Sequence, residues 1–226
     1  MAKEAGATAI EVVVTAPGRK NRTARRLLSE LRRAAAVPVQ VLSSDEEAAL
    51  SFAGAVASTT SPASSFVVCD VGGGSTELAA GTRSMGAGRT SSFALGSLRL
   101  TTTALKDDPP DPADIAVARL EAAIALREVA VPPADLALAT GGTARALSKL
   151  VGAHLAETQL SKALTLLSSK PSHVLAVRFG LPPWRARTLA SGAAILAEVE
   201  RALGLPLEVV RGGLRDGAAL ALLDRL

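Results

Sequence analysis

The stretch "FVVCDVGGGSTELAAG", residues 66–81, decides how the fold is read. An apolar run ending in Asp70 leads into Gly72, Gly73, Gly74 and Ser75, and a second strand-like segment carrying Glu77 follows. A turn that only reverses the chain needs one or two residues with positive φ, usually supplied by Asn-Gly or Asp-Gly. Three successive glycines exceed that demand and predict a backbone stripped of side chains so that something can approach its N–H groups. "STELAAG" continues as strand, so the turn reads as a hairpin; a P-loop or a dinucleotide-binding turn would open a helix instead. A plain bulged β-turn is the bland alternative, and it leaves the flanking acids without a reason. An anion-binding turn bracketed by carboxylates makes electrostatic sense when a divalent cation joins them.

Outward from the turn, strand and helix alternate. On the N-terminal side "AIEVVVTAP" reads as a short buried strand, 21–36 as an amphipathic helix, "VPVQVL" as the next strand, and Ser44 as the start of a helix through "EEAALSFAGAVAS". This order predicts an α/β layer with parallel strands. The small, polar "STTSPASS" is the expected hinge between two lobes, 1–60 and 61–226. On the C-terminal side come two strands, 76–80 and 89–95, then a helix at "GSLRLTTTAL", a helix over 114–129, and strand, glycine turn and helix in "DLALATGGTARALSKL". The last third reads as helices over 160–168, 183–203 and 215–223, with one strand at "LEVVRGG".

Composition narrows the function classes. The chain of 226 residues has room for a sizeable core, but Trp184 is its only Trp and it has no Tyr, so the core is aliphatic. Binding of single-stranded nucleic acid by stacked aromatics is not expected. Cys69 is the sole cysteine, which excludes an intrachain disulfide and a cysteine-rich zinc site. No apolar run is long enough for a bilayer and the opening residues lack signal-peptide order, so a cytoplasmic protein with no membrane partner is the expectation. The net charge is +4, with Arg19, Lys20, Arg22, Arg25, Arg26, Arg32 and Arg33 clustered around the first helix. A solvated helix face explains that cluster, and attraction of a polyanion is the sharper alternative.

Three further constellations carry chemistry. Gly141, Gly142 and Thr143 stand where a helix begins, and free N–H groups there favour a phosphate, although Thr143 could simply be the N-cap. In "VLSSDEEAAL", Ser44 and Glu47 have capping-box spacing, which on periodicity alone makes Glu47 structural. In "VTAPGRKN", Arg19 follows a strand end, where a guanidinium can meet phosphate oxygens in bidentate fashion. His154 and His173 lack neighbours at ligand spacing and read as surface or packing residues.

Taken together, "VTAPGRKN", "SSDEEAAL", "DVGGGSTEL", "ATGGTARAL" and "GGLRDGAAL" resemble, in order and spacing, the Ppx/GppA family of exopolyphosphatases and guanosine pentaphosphate phosphohydrolases. The resemblance implies an α/β fold of the actin, sugar kinase and Hsp70 type, ribonuclease H-like and two-lobed. It also implies Mg2+-dependent removal of the terminal phosphoryl group from polyphosphate or guanosine pentaphosphate. By resemblance, Glu47 is the general base, Asp70 and Glu77 organise the metal, and Gly72, Gly73, Gly74 and Ser75 cradle phosphate. Gly141, Gly142 and Thr143 form the second-lobe phosphate turn, and Arg19 is the first-lobe arginine. The resemblance also implies a first hairpin of Asp-x-Gly-Ser type ahead of residue 1 and an arginine where Ala49 stands. The first lobe, two strands and two helices, is therefore expected to be incomplete, with residues 10–15 forming a sheet edge that favours a homodimer. The rival expectation is a module of this fold that holds polyphosphate or a nucleotide without hydrolysing it.

Overall fold

The structure, a computed structural model, describes residues 6–15, 22–35, 37–127 and 132–226. Among the described residues two sheets organise the chain. Strands β1 (Val12–Val14) and β2 (Val39–Val41) pair in parallel as a two-stranded sheet, connected through helix α1 (Arg22–Ala35). Arg25, Arg26, Arg32 and Arg33 on α1 are exposed and Arg33 pairs with Glu30 at 3.1 Å, as a solvated helix face requires.

The second sheet has six strands in the order β5-β4-β3-β6-β8-β7, where β3 is Ser65–Val71, β4 Thr76–Thr82, β5 Gly86–Phe93, β6 Leu136–Thr140, β7 His154–Leu155 and β8 Leu207–Val209. β3, β4 and β5 form an antiparallel meander; β3, β6 and β8 run parallel. Helices cover both faces, which is why "FVVC" is apolar without alternation. Phe66, Val68, Ala79 and Leu138 face helix α2 (Ser44–Ala57), meeting its Ala48, Phe52, Ala55 and Val56. Val67, Cys69, Val71, Leu78, Ala137 and Ala139 face the opposite, larger core. That core is built on helices α3 (Ser97–Thr103), α4 (Pro112–Leu126), α5 (Gly141–Val151), α6 (Glu157–Ser169), α7 (Ser172–Phe179), α8 (Pro183–Arg187) and α9 (Leu189–Leu203). α9 is buried on every side from Leu189 to Val199, and the one charged residue in that stretch, Glu198, is paired with Arg119 and Arg201. Cys69 is buried there, and burial pushes its thiol well up, consistent with packing.

The C-terminal helix α10 (Leu214–Leu223) lies directly on α2. Their backbones approach so closely that a Cβ on Gly54 would overlap the Gly213 carbonyl, and one on Gly217 the Leu50 carbonyl. α2 is also tied to the sheet along its length. Thr90 Oγ1 donates to Asp45 Oδ1 at 2.6 Å, and Ser51 Oγ to Asp70 Oδ2 at 3.1 Å. At its C-terminal end Arg83 donates to the carbonyls of Val56, Thr59 and Ser61. The segment expected as a hinge is thus held by Arg83, and at its far end the Asp135 carboxylate accepts from the amides of Ser64 and Ser65.

Several local expectations shift. The helix expected over 183–203 is two, α8 and α9, broken at Thr188, where ψ rises to 1°. α7 and β7 carried too short a pattern to be foreseen. His154, read as a surface or packing residue without neighbours at ligand spacing, is exposed and meets Glu208 at 2.6 Å across the β7–β8 pair, a contact that only tertiary pairing creates.

Candidate functional site

Asp70 and Glu77 are direct cross-strand partners, because the β3–β4 register is symmetric about residues 72–75. Both therefore project to the α2 side of the sheet, and two carboxylates placed opposite each other repel. Glu77 is 3% exposed and accepts a hydrogen bond from Ser92 Oγ at 3.0 Å. Burial, with the charges of Glu47 and Asp70 added, pushes its carboxyl up to about 7. Asp70 is also pushed up, chiefly by burial and further by Glu47, against the hydroxyl of Ser51 and the charges of Arg145 and Arg185, which favour its ionised form.

Glu47 is not held in the capping box that its spacing from Ser44 allows. The capping box of α2 is closed one residue earlier: Ser43 is the N-cap, Glu46 N donates to Ser43 Oγ at 3.1 Å, and Ser43 N donates to Glu46 Oε2 at 2.7 Å. The Ser44–Glu47 pair is thus not the cap, and Glu47 sits in the first helical turn, close enough to raise both Asp70 and Glu77.

The glycine turn joins β3 to β4 as a hairpin. Gly72 N donates to Ser75 O at 2.9 Å, while the carbonyls of Gly72 and Gly73 accept from the amides of Ser97, Leu98 and Arg99 at the start of α3. With the carbonyls engaged on one side, the N–H groups of Gly73 and Gly74 donate to nothing among the described residues. None of the three glycines has positive φ, and a Cβ on Gly74 would meet nothing within 4 Å, one on Gly73 only Leu98 Cβ at 3.6 Å. Neither backbone conformation nor internal packing asks for glycine at these two positions.

The second turn lies at the end of the neighbouring strand β6. Gly141 has φ +84°, and a Cβ there would overlap Asp70 Oδ1, so the turn runs hard against that carboxylate. Thr143 is not the N-cap of α5; Thr140 holds that position, and Thr143 Oγ1 donates to Val71 O at 2.8 Å, linking the two turns. Two residues that pattern reasoning missed complete the constellation. Arg185 on α8 donates to Thr143 Oγ1 at 2.9 Å and passes over Gly142, where a Cβ would overlap its Nη2. Arg145 on α5 donates to Arg211 O at 2.9 Å. Burial and the charge of Arg145 pull the Arg185 guanidinium down from its ordinary value, whereas Asp70 holds it up. Arg145 lay inside "GGTARAL", where its motif position was the available signal; Arg185 had none, since its partner is distant in sequence. Arg19 lies outside the described residues.

The raised Glu77 carboxyl fixes a pH dependence. In metal-free protein the folded state holds this proton from the ordinary glutamate range near 4.5 up to about 7, so stability from this group is complete below the lower value. It is lost as pH rises through the upper one, by about 3 kcal/mol at most. Chemical denaturation in EDTA is expected to show lower stability at pH 8 than at pH 5, with Glu77→Gln reducing the difference. An unchanged difference in the variant would show that Glu77 is not the group responsible.

The chain as a whole has relatives among known proteins. A model described as the Ppx/GppA phosphatase family matches residues 1–226. Exopolyphosphatase 2 of Mycobacterium tuberculosis is 32% identical over 81% of this chain and 63% of its own length, and exopolyphosphatase 1 of Mycobacterium bovis is 30% identical over 99% and 70%. The chain thus spans less than two thirds of the first of these relatives. Among solved structures, the Aquifex aeolicus Ppx/GppA family member superposes with a TM-score of 0.84 at 24% identity, covering 99% of this chain and 77% of that one. An exopolyphosphatase from Cytophaga hutchinsonii gives 0.87 at 17% identity, covering 100% and 78%. These likenesses bear out the α/β fold that the family resemblance implies.

Proposed function

Since this chain belongs to the Ppx/GppA phosphatase family, we propose that it is a phosphohydrolase that removes the terminal phosphoryl group from polyphosphate or guanosine pentaphosphate. The observation that carries this reading is the glycine turn, whose Gly73 and Gly74 amides are unengaged among the described residues and whose missing side chains nothing inside the protein requires. Unengaged backbone N–H groups in a turn are able to donate to an anion.

In this reading the phosphate chain lies across residues 72–75 and against Gly141, Gly142 and Thr143, where the N-terminus of α5 adds its positive dipole end. Glu47 accepts a proton from a water whose oxygen attacks the terminal phosphorus. The bridging P–O bond breaks, and the shortened chain leaves with the bridging oxygen. Charge on the transferring group is met by the turn amides and by Arg185, with Arg145 beside it.

A Mg2+ ion suits the acid pair. Among the described residues no three His, Cys, Asp or Glu side chains could hold a cation by themselves. Magnesium, however, is commonly held by one or two carboxylates plus phosphate oxygens, and Asp70, half-buried, and Glu77, buried, are cross-strand carboxylates whose charged forms repel. They would hold the ion, which supplies neutralisation of phosphate charge when bound.

Gly73→Ala tests the cradle. The added methyl has room within the fold, so thermal stability is expected to stay near wild type while affinity for tripolyphosphate, measured by isothermal titration, falls about tenfold or more. Unchanged affinity would remove the glycine turn from the binding site.

A further inference from the structure

We infer that Trp184 is a stacking platform for a purine base, so that the site takes a nucleotide whose phosphate chain enters the two glycine turns in preference to a bare phosphate chain. The inference rests on the phosphohydrolase reading and narrows its substrate. Trp184 is the only Trp of an almost aromatic-free chain, yet it is 64% exposed on the surface. Its location explains why that matters. The Arg185 guanidinium carbon lies 4.6 Å from the centroid of the indole ring, and the same guanidinium donates to Thr143 on the second phosphate turn. One side chain thus touches both the phosphate turn and the indole, which places the ring within a nucleotide's reach of the phosphates.

Chemistry separates the two substrate classes. A bare phosphate chain has only anionic oxygens, which call for N–H donors and cations and gain nothing from an exposed indole. A purine offers a flat π-face, and stacking on an aromatic side chain is worth a large change in affinity without needing hydrogen-bond readout. Arg185 covers one side of the ring by a cation–π contact, which holds the indole in place and leaves the rest of it open to solvent. Leu98, 55% exposed and bound through its amide to Gly73 O, adds a second apolar surface at the rim of the glycine turn.

Because Trp184 is the sole indole, its emission reports directly on the site. Guanosine pentaphosphate and tripolyphosphate, titrated into the wild-type protein with Mg2+, supply the comparison, with isothermal titration run in parallel. Guanosine pentaphosphate is expected to quench the emission saturably and to bind about tenfold more tightly than tripolyphosphate. Trp184→Ala is expected to bring the ratio of the two affinities towards one, and Trp184→Phe to restore part of it. Tripolyphosphate binding accompanied by equal nucleotide affinity and unaltered emission would overturn this inference and leave the phosphohydrolase reading standing. Binding of neither ligand would overturn both.

Discussion

Glu47→Gln is expected to lower turnover about 10²- to 10⁴-fold while leaving substrate affinity and stability near wild type. The amide keeps the volume of the side chain and loses the ability to accept a proton from water. The cap of α2 does not suffer, because the reciprocal hydrogen bonds belong to Ser43 and Glu46. α2 itself is fixed by Thr90, by the bond from its Ser51 to Asp70, by Arg83 and by the close contact with α10, so the rest of the site stays in register. Steady-state phosphate release, isothermal titration and chemical denaturation measure the three quantities separately. Loss of stability or binding in step with turnover would assign Glu47 a structural role instead.

Arg185→Ala is expected to lower turnover by about 10²- to 10³-fold, as loss of one preorganised donor to developing phosphoryl charge does elsewhere. The substitution removes a guanidinium that donates to Thr143 and whose charge favours ionised Asp70. Arg185→Lys should recover little, since a single ammonium cannot reproduce a planar fork spanning Thr143 and an anion. Wild-type turnover in Arg185→Ala would exclude the guanidinium from the reaction and leave its contact with Thr143 as packing.

The hairpin was legible because its signals are local: an apolar run, a turn of small residues and a second strand, with acids spaced symmetrically so that any tight register pairs Asp70 with Glu77. Glu47 was harder. "SSDEE" satisfies the capping-box spacing in two registers, Ser43 with Glu46 and Ser44 with Glu47, and only the backbone decides between them. Arg185 was invisible, since its contact with Thr143 depends on how α8 packs beside α5, and nothing in "LPPWRARTL" announces that partner. Ser51 and Ser92 escaped for the same reason, each being an ordinary serine until the fold brings it to Asp70 or Glu77.

Orthophosphate release from polyphosphate and guanosine pentaphosphate, followed in Mg2+ with and without EDTA, tests the central claim most directly. The account predicts release of the terminal phosphate from at least one of the two, abolished by chelation and restored by added Mg2+. Tight binding of both compounds with no release, or release indifferent to EDTA, would contradict it.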